Sequence, residues 1–164
     1  MVTPRTRLIA GVSVPDSPLI TEVLEYAQKL SEPYLLNHAM RSWLFAAKIG
    51  HIKAIDCDHE VVAVGTILHD IGLTAGVSGS NRFEVNGADA ALSFIKERGL
   101  SDRRAQLIWD LVALNSTPSI ARFTKRRRWP WARWALRSTM EGLASSRSPR
   151  RISLKFSVHS RVSR

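Results

Sequence analysis

The segment DHEVVAVGTILHDIGL, residues 58–73, restricts the fold more than any other, because it is apolar around almost the whole circumference of a helix. A helix without a polar face is stable only when other elements cover it on every side. The segment therefore predicts a central helix, which we expect to end at Gly72.

Four further segments have apolar residues at helical spacing between residues typical of helix ends. They cover residues 15–30, 32–51, 87–100 and 101–118. Asp16 or Ser17 is the expected cap of the helix at residues 15–30, and Ser101 or Asp102 that of the helix at residues 101–118. Gly50 and Gly99 are expected to end the helices at residues 32–51 and 87–100. The residues expected to face inward on the second and fifth helices are Leu35, Ala39, Trp43, Ala46, Ala47, Ala105, Leu107, Ile108, Leu111, Val112 and Leu114. No segment alternates as a strand does, so we predict a single all-α domain.

Composition argues against secreted and membrane-spanning classes of protein. A single cysteine, Cys57, excludes an internal disulfide and fits a reducing compartment. No apolar run approaches the roughly 20 residues that cross a bilayer. The short apolar run near the N-terminus is interrupted by Pro15 and Asp16, which is not typical of a signal peptide. We therefore expect a cytoplasmic protein without a membrane span.

Charge is divided unevenly along the chain. Residues 1–120 carry 11 basic and 13 acidic side chains, a net −2, whereas residues 121–164 carry 13 basic side chains and one acid, a net +12. The basic part includes RRRWPWARW at residues 126–134. Such asymmetry is typical of a tail that binds nucleic acid or membrane, or of a segment whose composition was never selected.

His69 and Asp70 are the strongest candidates for chemistry, because they are adjacent at the end of the apolar helix. Neighbouring helix positions point about 100° apart, so the two side chains share a target only if it lies over the edge between them. A metal ion is such a target, and imidazole and carboxylate ligands suit zinc, iron or manganese. The alternative is that Asp70 only closes the helix and His69 is a partly buried, hydrogen-bonded side chain.

His38 and Arg41 lie on the second predicted helix and could face the same site. His38 sits in LLNHAMRSW, an otherwise apolar stretch, and could supply a third ligand. Alone, a histidine in such a position is more often part of the core. Arg41 lies one turn later and could line a substrate pocket, or could instead be solvated or ion-paired.

Five motifs occur in an order that resembles the cyanamide hydratase-like branch of the HD-domain metallohydrolases, over roughly residues 8–123. They are AGVSVPDSPLITEVLEYA, LLNHAMRSWLFA, LHDIGLT, RFEVNGADAALSFI and IWDLVALNSTPSIARF. RFEVNGADAA is specific to this branch, whereas HD alone is common. The resemblance implies one HD-domain helical bundle over residues 1–123, which holds a divalent metal, zinc or iron, through His38, His69 and Asp70.

The resemblance also implies an activity on a small molecule. In this family a metal-bound water or hydroxide attacks a small electrophilic carbon, a nitrile in cyanamide hydratase, or a phosphorus centre in other HD branches. The RFEVNGADAA motif argues against the alternative of a phosphohydrolase. We expect Asp70 and Asn115 to take part in catalysis and Arg41 to line the substrate pocket.

Two departures from the family pattern predict impaired activity. Asn115 stands where many relatives have a histidine, and an asparagine can orient a substrate but cannot exchange a proton near neutral pH. The HD pattern also closes with an aspartate on a later helix, and residues 121–164 contain none.

A one-base change of reading frame after about Phe123 explains both the basic tail and the missing aspartate. Because Trp has a single codon, a reading frame moved by one base must encode Ala, then Leu, Met or Val, then Gly across Trp129–Ala132. It can spell VALGTLGIAVDYGGP, which resembles the phrase found at this place in the family. We therefore interpret residues 124–164 as a disordered or out-of-frame tail. The alternative is a non-enzymatic protein whose basic tail binds RNA or anionic lipid.

Overall fold

The computed structural model describes residues 5–117, and the tail at residues 124–164 lies outside the described residues. The elements, in chain order, are β1 (Thr6–Ile9), β2 (Val12–Pro15), α1 (Pro18–Leu30), α2 (Pro33–Ile52), α3 (His59–Ile67), a 3-10 turn (Ile71–Leu73), α4 (Phe83–Lys96) and α5 (Asp102–Ala113). The described part of the chain is mostly helical, as the apolar periodicity predicted.

The prediction of an all-α domain is roughly met, but it did not include the antiparallel hairpin that β1 and β2 form at the N-terminal end. Ala10 and Gly11 connect the strands with φ angles of 48° and 76°, the left-handed pair that a two-residue hairpin turn requires. Only Val14 of the hairpin is buried. Because one inward side chain does not make an alternating pattern, the strands left no periodic signal in the sequence.

The ends of α1 and α2 were predicted with unequal success. Ser17 caps α1 by accepting a hydrogen bond from the backbone N–H of Ile20, as expected. Gly50 does not end α2, because the helix continues to Ile52 and closes through a Schellman motif. In that motif the N–H of Ile55 bonds to the Gly50 carbonyl, and Ala54 takes the left-handed conformation that usually favours glycine.

The central position predicted for α3 is confirmed. Every residue from Val61 to Ile67 is buried, and Asp58 caps the helix by accepting from the N–H of Val61. The residues predicted to face inward on α2 and α5 are buried too, except Leu114, which is half-buried. The core therefore consists of α3 covered by the apolar faces of its neighbours. No helix within residues 5–117 has the length and apolar character that a bilayer crossing requires.

The junction between α3 and α4 determines where the candidate site lies. α3 ends at Ile67 rather than at Gly72, and α4 begins at Phe83 rather than at Gly87. A Cβ on Gly72 would lie 1.9 Å from the Phe83 carbonyl oxygen, and one on Gly87 would lie 2.9 Å from the Gly72 nitrogen. Glycine at both positions therefore allows the 3-10 turn to pack directly on the first turns of α4.

Candidate metal centre

Three of the side chains singled out in the sequence meet at one point. His38 projects from α2, and His69 and Asp70 lie in the turn that follows α3. The Nε2 atoms of the two histidines are 3.2 Å apart, and the Asp70 Oδ2 atom lies 3.3 Å from the nitrogen of His38 and 3.1 Å from that of His69. This cluster could hold a metal ion.

The dimensions of the cluster fit a first-row divalent metal. Bonds of about 2.0–2.1 Å at tetrahedral angles place ligand atoms about 3.3 Å apart, which is close to the three observed distances. The three atoms form a nearly equilateral triangle, so an ion equidistant from them would have coordination positions left open away from the triangle. The side chains are 8–19% exposed, so the cluster is recessed but reachable from solvent.

Local backbone structure makes the two neighbouring ligands converge. In a continuing helix, His69 and Asp70 would point about 100° apart. Instead the helix ends before them, and the N–H groups of Ile71 and Leu73 bond to the carbonyls of Leu68 and Asp70 in 3-10 fashion. The tighter turn brings the Asp70 carboxylate and the His69 ring to the same point.

A hydrogen bond to the backbone sets the orientation of the His69 ring. Its Nδ1 atom lies 2.7 Å from the Thr66 carbonyl oxygen. Since a carbonyl only accepts, Nδ1 must donate, so Nε2 is the ring nitrogen that faces the cluster. The ring is also 7% exposed, so packing restricts its rotation.

The electrostatic surroundings keep two of the three candidate ligands, His38 and Asp70, in the forms that bind metals. Burial lowers the pKa of His38, and the charges of His69 and Arg41 add to this while Asp70 opposes it. Burial alone would raise the pKa of Asp70, but the hydrogen bond and charge of His69 and the charge of His38 outweigh burial and lower it. At neutral pH His38 is therefore neutral and Asp70 is ionised, as metal binding requires.

The other two predicted site residues differ in their surroundings. Arg41 is exposed one turn after His38, close enough for its charge to lower the pKa of that histidine. Asn115 is 8% exposed, and its Nδ2 donates a hydrogen bond to the backbone carbonyl of His69. The amide therefore holds the backbone of a ligand, a contact that the sequence did not reveal.

Glu84 belongs to the site but was not singled out as a candidate. It is 3% exposed and accepts hydrogen bonds from the Arg82 guanidinium, at 2.8 and 3.2 Å, and from the Ser116 hydroxyl. Burial would raise the pKa of Glu84, but the bonds from Ser116 and Arg82 outweigh burial and lower it. Its negative charge opposes the lowering of the Asp70 pKa, so the two acids are close. The RFEV motif was the signal in the sequence.

The described part of the chain also contains a cavity of about 440 Å³, away from these ligands. It lies between the hairpin, the last turns of α2 and the start of α3, and none of the three candidate ligands lines it.

A scan of protein-family models and a search of curated proteins found no match to this chain. The functional conclusion therefore depends on the chemistry of the His38, His69 and Asp70 cluster.

Proposed function

We propose that this protein is a metal-dependent hydratase or hydrolase of a small molecule, a member of the HD-domain superfamily similar to cyanamide hydratase. The observation that carries the proposal is the triangle of two imidazole nitrogens and one carboxylate oxygen, with sides of 3.1–3.3 Å. The donors are recessed, and among residues 5–117 the ion-pair partners of Asp70 are the two histidines. Donors with this spacing and these surroundings have the character of a ligand set.

The donor types favour zinc or iron, held by His38, His69 and Asp70. Such an ion would lower the pKa of a water molecule toward neutrality and so supply a nucleophile at neutral pH. Asp70 would offset part of the ion's charge, and its second carboxylate oxygen would be available to accept a hydrogen bond or a proton from water. His69 keeps its ring fixed through Thr66, so the geometry of the donors is set before the substrate arrives.

Arg41 and the sequence resemblance support a small electrophilic substrate. The exposed guanidinium one turn from His38 can bind the electron-rich end of a nitrile or carbonyl compound at the mouth of the site. The RFEVNGADAA motif supports a nitrile in particular, with hydration to a urea-type product. The same guanidinium favours a second candidate activity, phosphate ester hydrolysis, because Arg binds phosphate oxygens in a bidentate manner.

We further propose that the chain as it stands is a weak enzyme. The cluster contains one carboxylate, and the aspartate that closes the HD pattern has no counterpart in residues 121–164. Three protein ligands can hold a metal with an open position. A missing acid, however, changes the charge around the ion and thereby the pKa of its water.

The proposal is tested by metal content and by turnover, both measured on the full chain. We expect purified protein to retain zinc or iron by elemental analysis, and the His69→Ala variant to lose it completely. His51→Ala is the matched control, because His51 is an exposed histidine one residue before the end of α2 and should leave the metal content unchanged. A His69→Ala variant with its full metal content would remove His69 from the site.

Activity separates the candidate substrates. With metal loaded, urea formation from cyanamide supports the hydratase, whereas phosphate release from p-nitrophenyl phosphate with no urea supports the phosphohydrolase. The protein expressed from a gene corrected by one base near the Phe123 codon should bind metal more tightly and turn over substrate faster than the present chain. If neither version forms urea or releases phosphate, and the present chain binds RNA in a salt-dependent way, the non-enzymatic alternative replaces the proposal.

A further inference from the structure

Two consecutive residues after α5 contact different parts of the metal centre. Asn115 donates to the His69 carbonyl, 46 positions earlier, and Ser116 donates to a carboxylate oxygen of Glu84, 32 positions earlier. One dipeptide therefore links the turn that follows α3 with the first turn of α4. Both links are made by side chains, so both depend on residue identity.

The link to His69 has a specific geometric consequence. The His69 carbonyl belongs to the peptide group that joins His69 to Asp70, the two neighbouring candidate ligands. Because a peptide group is planar, fixing its carbonyl fixes the plane that contains the Cα atoms of both residues, and so restrains the backbone from which both side chains project. Asn115 thereby restrains the backbone between an imidazole and a carboxylate whose Nε2 and Oδ2 atoms are 3.1 Å apart.

The link to Glu84 explains why a carboxylate is buried at this position. A buried ion pair is often no more stabilising than apolar residues of the same volume, so a gain in stability alone does not explain the buried carboxylate of Glu84. It is nevertheless held by the Arg82 guanidinium and by the Ser116 hydroxyl. Arg82 is 73% exposed on its side chain, so it anchors Glu84 from the solvent side, while Ser116 connects Glu84 to the segment that follows α5.

We propose that Glu84, Ser116 and Asn115 form a positioning relay, in which Glu84 holds Ser116 in place and Asn115 then holds the peptide between His69 and Asp70. These residues act on the metal through its ligands and do not touch it. The inference rests on the proposed function, because a positioning role needs a metal to position. Removal of groups that orient metal ligands typically weakens affinity by about 10–100-fold.

The first test measures Co²⁺ affinity and the Co²⁺ d–d absorption spectrum, which reports coordination geometry. Asn115→Leu, which keeps the size of the side chain but loses the amide donor, should weaken binding by about 10–100-fold and change the spectrum. Ser116→Ala should act in the same direction, and Ser116→Thr, which keeps the hydroxyl, should restore the wild-type affinity and spectrum. Equal affinities for Ser116→Ala and Ser116→Thr would overturn the relay.

The second test asks whether the residues act in series. Glu84→Gln breaks the ion pair with Arg82 and should weaken Co²⁺ binding alone, yet add nothing in the Asn115→Leu background. Multiplicative losses in the double variant would mean independent effects and would overturn the inference. Glu22→Gln is the matched control, because it also removes an acid from an Arg pair, Arg98 at 2.6 Å, but on α1, which carries none of the candidate ligands.

Two measurements keep the inference separate from the proposed function and from simple unfolding. Wild-type protein that binds no Co²⁺ at all would contradict the proposed function. Wild-type binding with unaltered affinity in Asn115→Leu and Ser116→Ala would contradict the relay alone. Thermal unfolding of each metal-free variant identifies any that fails to fold, and the exposed Ser116 position tolerates substitution best, so its pair of variants decides the outcome.

Discussion

The two ends of α3 both contain histidines and carboxylates, but only one end has the character of a metal centre. At the start of the helix, Arg104 binds Asp58 at 2.8 and 3.1 Å and Glu60 at 2.6 Å. A guanidinium therefore neutralises these acids. A metal ion can replace a proton on a ligand, but it cannot replace this cation, which is part of the chain. At the end of the helix, the ion-pair partners of Asp70 among residues 5–117 are His38 and His69, and the three side chains together could hold an ion.

The donors at the two ends also differ in orientation and protonation. His51 and His59 at the start are exposed, and their rings meet edge-on with centroids 5.8 Å apart. Burial, with the charges of Asp58 and Asp56, raises the pKa of the nearby Cys57 thiol to about 11, so this sulfur stays protonated at neutral pH. Residue types alone therefore do not define a site, whereas recessed donors that lack cationic partners do.

Gly72→Ala should have the largest effect, and it should fall on the end of α3 that carries the candidate metal ligands. The added methyl group would lie 1.9 Å from the Phe83 carbonyl oxygen, so the turn and α4 must separate. We expect a loss of unfolding free energy of about 3 kcal/mol and weaker metal binding. Denaturant unfolding and Co²⁺ titration measure the two effects.

Gly76→Ala is the control for that substitution. Its methyl group would meet the tip of the Leu30 side chain at 2.6 Å, and a side chain can rotate where a backbone carbonyl cannot. The variant should remain within about 1 kcal/mol of wild type. Equal losses for the two glycine variants would show that close backbone packing at Gly72 is not what positions the turn.

Arg104→Met should have an intermediate effect, confined to the other end of α3. The substitution keeps the length of the side chain but leaves Asp58 and Glu60 without their partner. Because the Arg104 side chain is 32% exposed, water compensates in part, and we expect a loss of about 1 kcal/mol in unfolding free energy. Metal affinity should not change. A large drop in Co²⁺ affinity would mean that the two ends of α3 are coupled, contrary to the comparison.

The same contrast explains which parts of the molecule could be predicted from sequence. Helical periodicity and the apolar segment at residues 58–73 identified the helices and the central element, because burial imposes a pattern on many residues at once. The meeting of His38 with His69 and Asp70 followed from their types and from the family resemblance. The chain could not reveal that the helix ends before His69, because the decisive contacts, at Gly72 and Phe83, are tertiary.

The features that were missed depend on single residues in unusual roles. Ala10 and Ala54 adopt left-handed conformations, which are usually found at glycine or asparagine. Neither the hairpin turn nor the end of α2 could therefore be predicted from the residue types. Asn115 and Ser116 reach partners 46 and 32 positions away. No periodic pattern encodes such contacts, and only the RFEV motif hinted at the importance of Glu84.

The smallest expected effect is a pH dependence that belongs to the metal-centre end. In the metal-free folded protein the pKa of His38 lies below its usual 6.5, so the unfolded chain takes up a proton first as the pH falls. Stability contributed by neutral His38 is therefore complete above pH 6.5 and is lost progressively as the pH falls through the folded-state pKa. Asp70 and Glu84, whose folded-state pKa values are also lowered, lose their contributions only at more acidic pH, below their ordinary values of 3.8 and 4.5.

The window from pH 6.5 down to roughly pH 5 thus isolates His38 from the carboxylates. Denaturant unfolding of chelator-treated protein should show stability falling across this window, and His38→Gln, which cannot titrate, should flatten the slope. If His38→Gln retains the full slope, the His38 ring is not held in its neutral form by its surroundings. The contrast in protonation between the two ends of α3 would then be wrong, although the distances among the three candidate ligands would still stand.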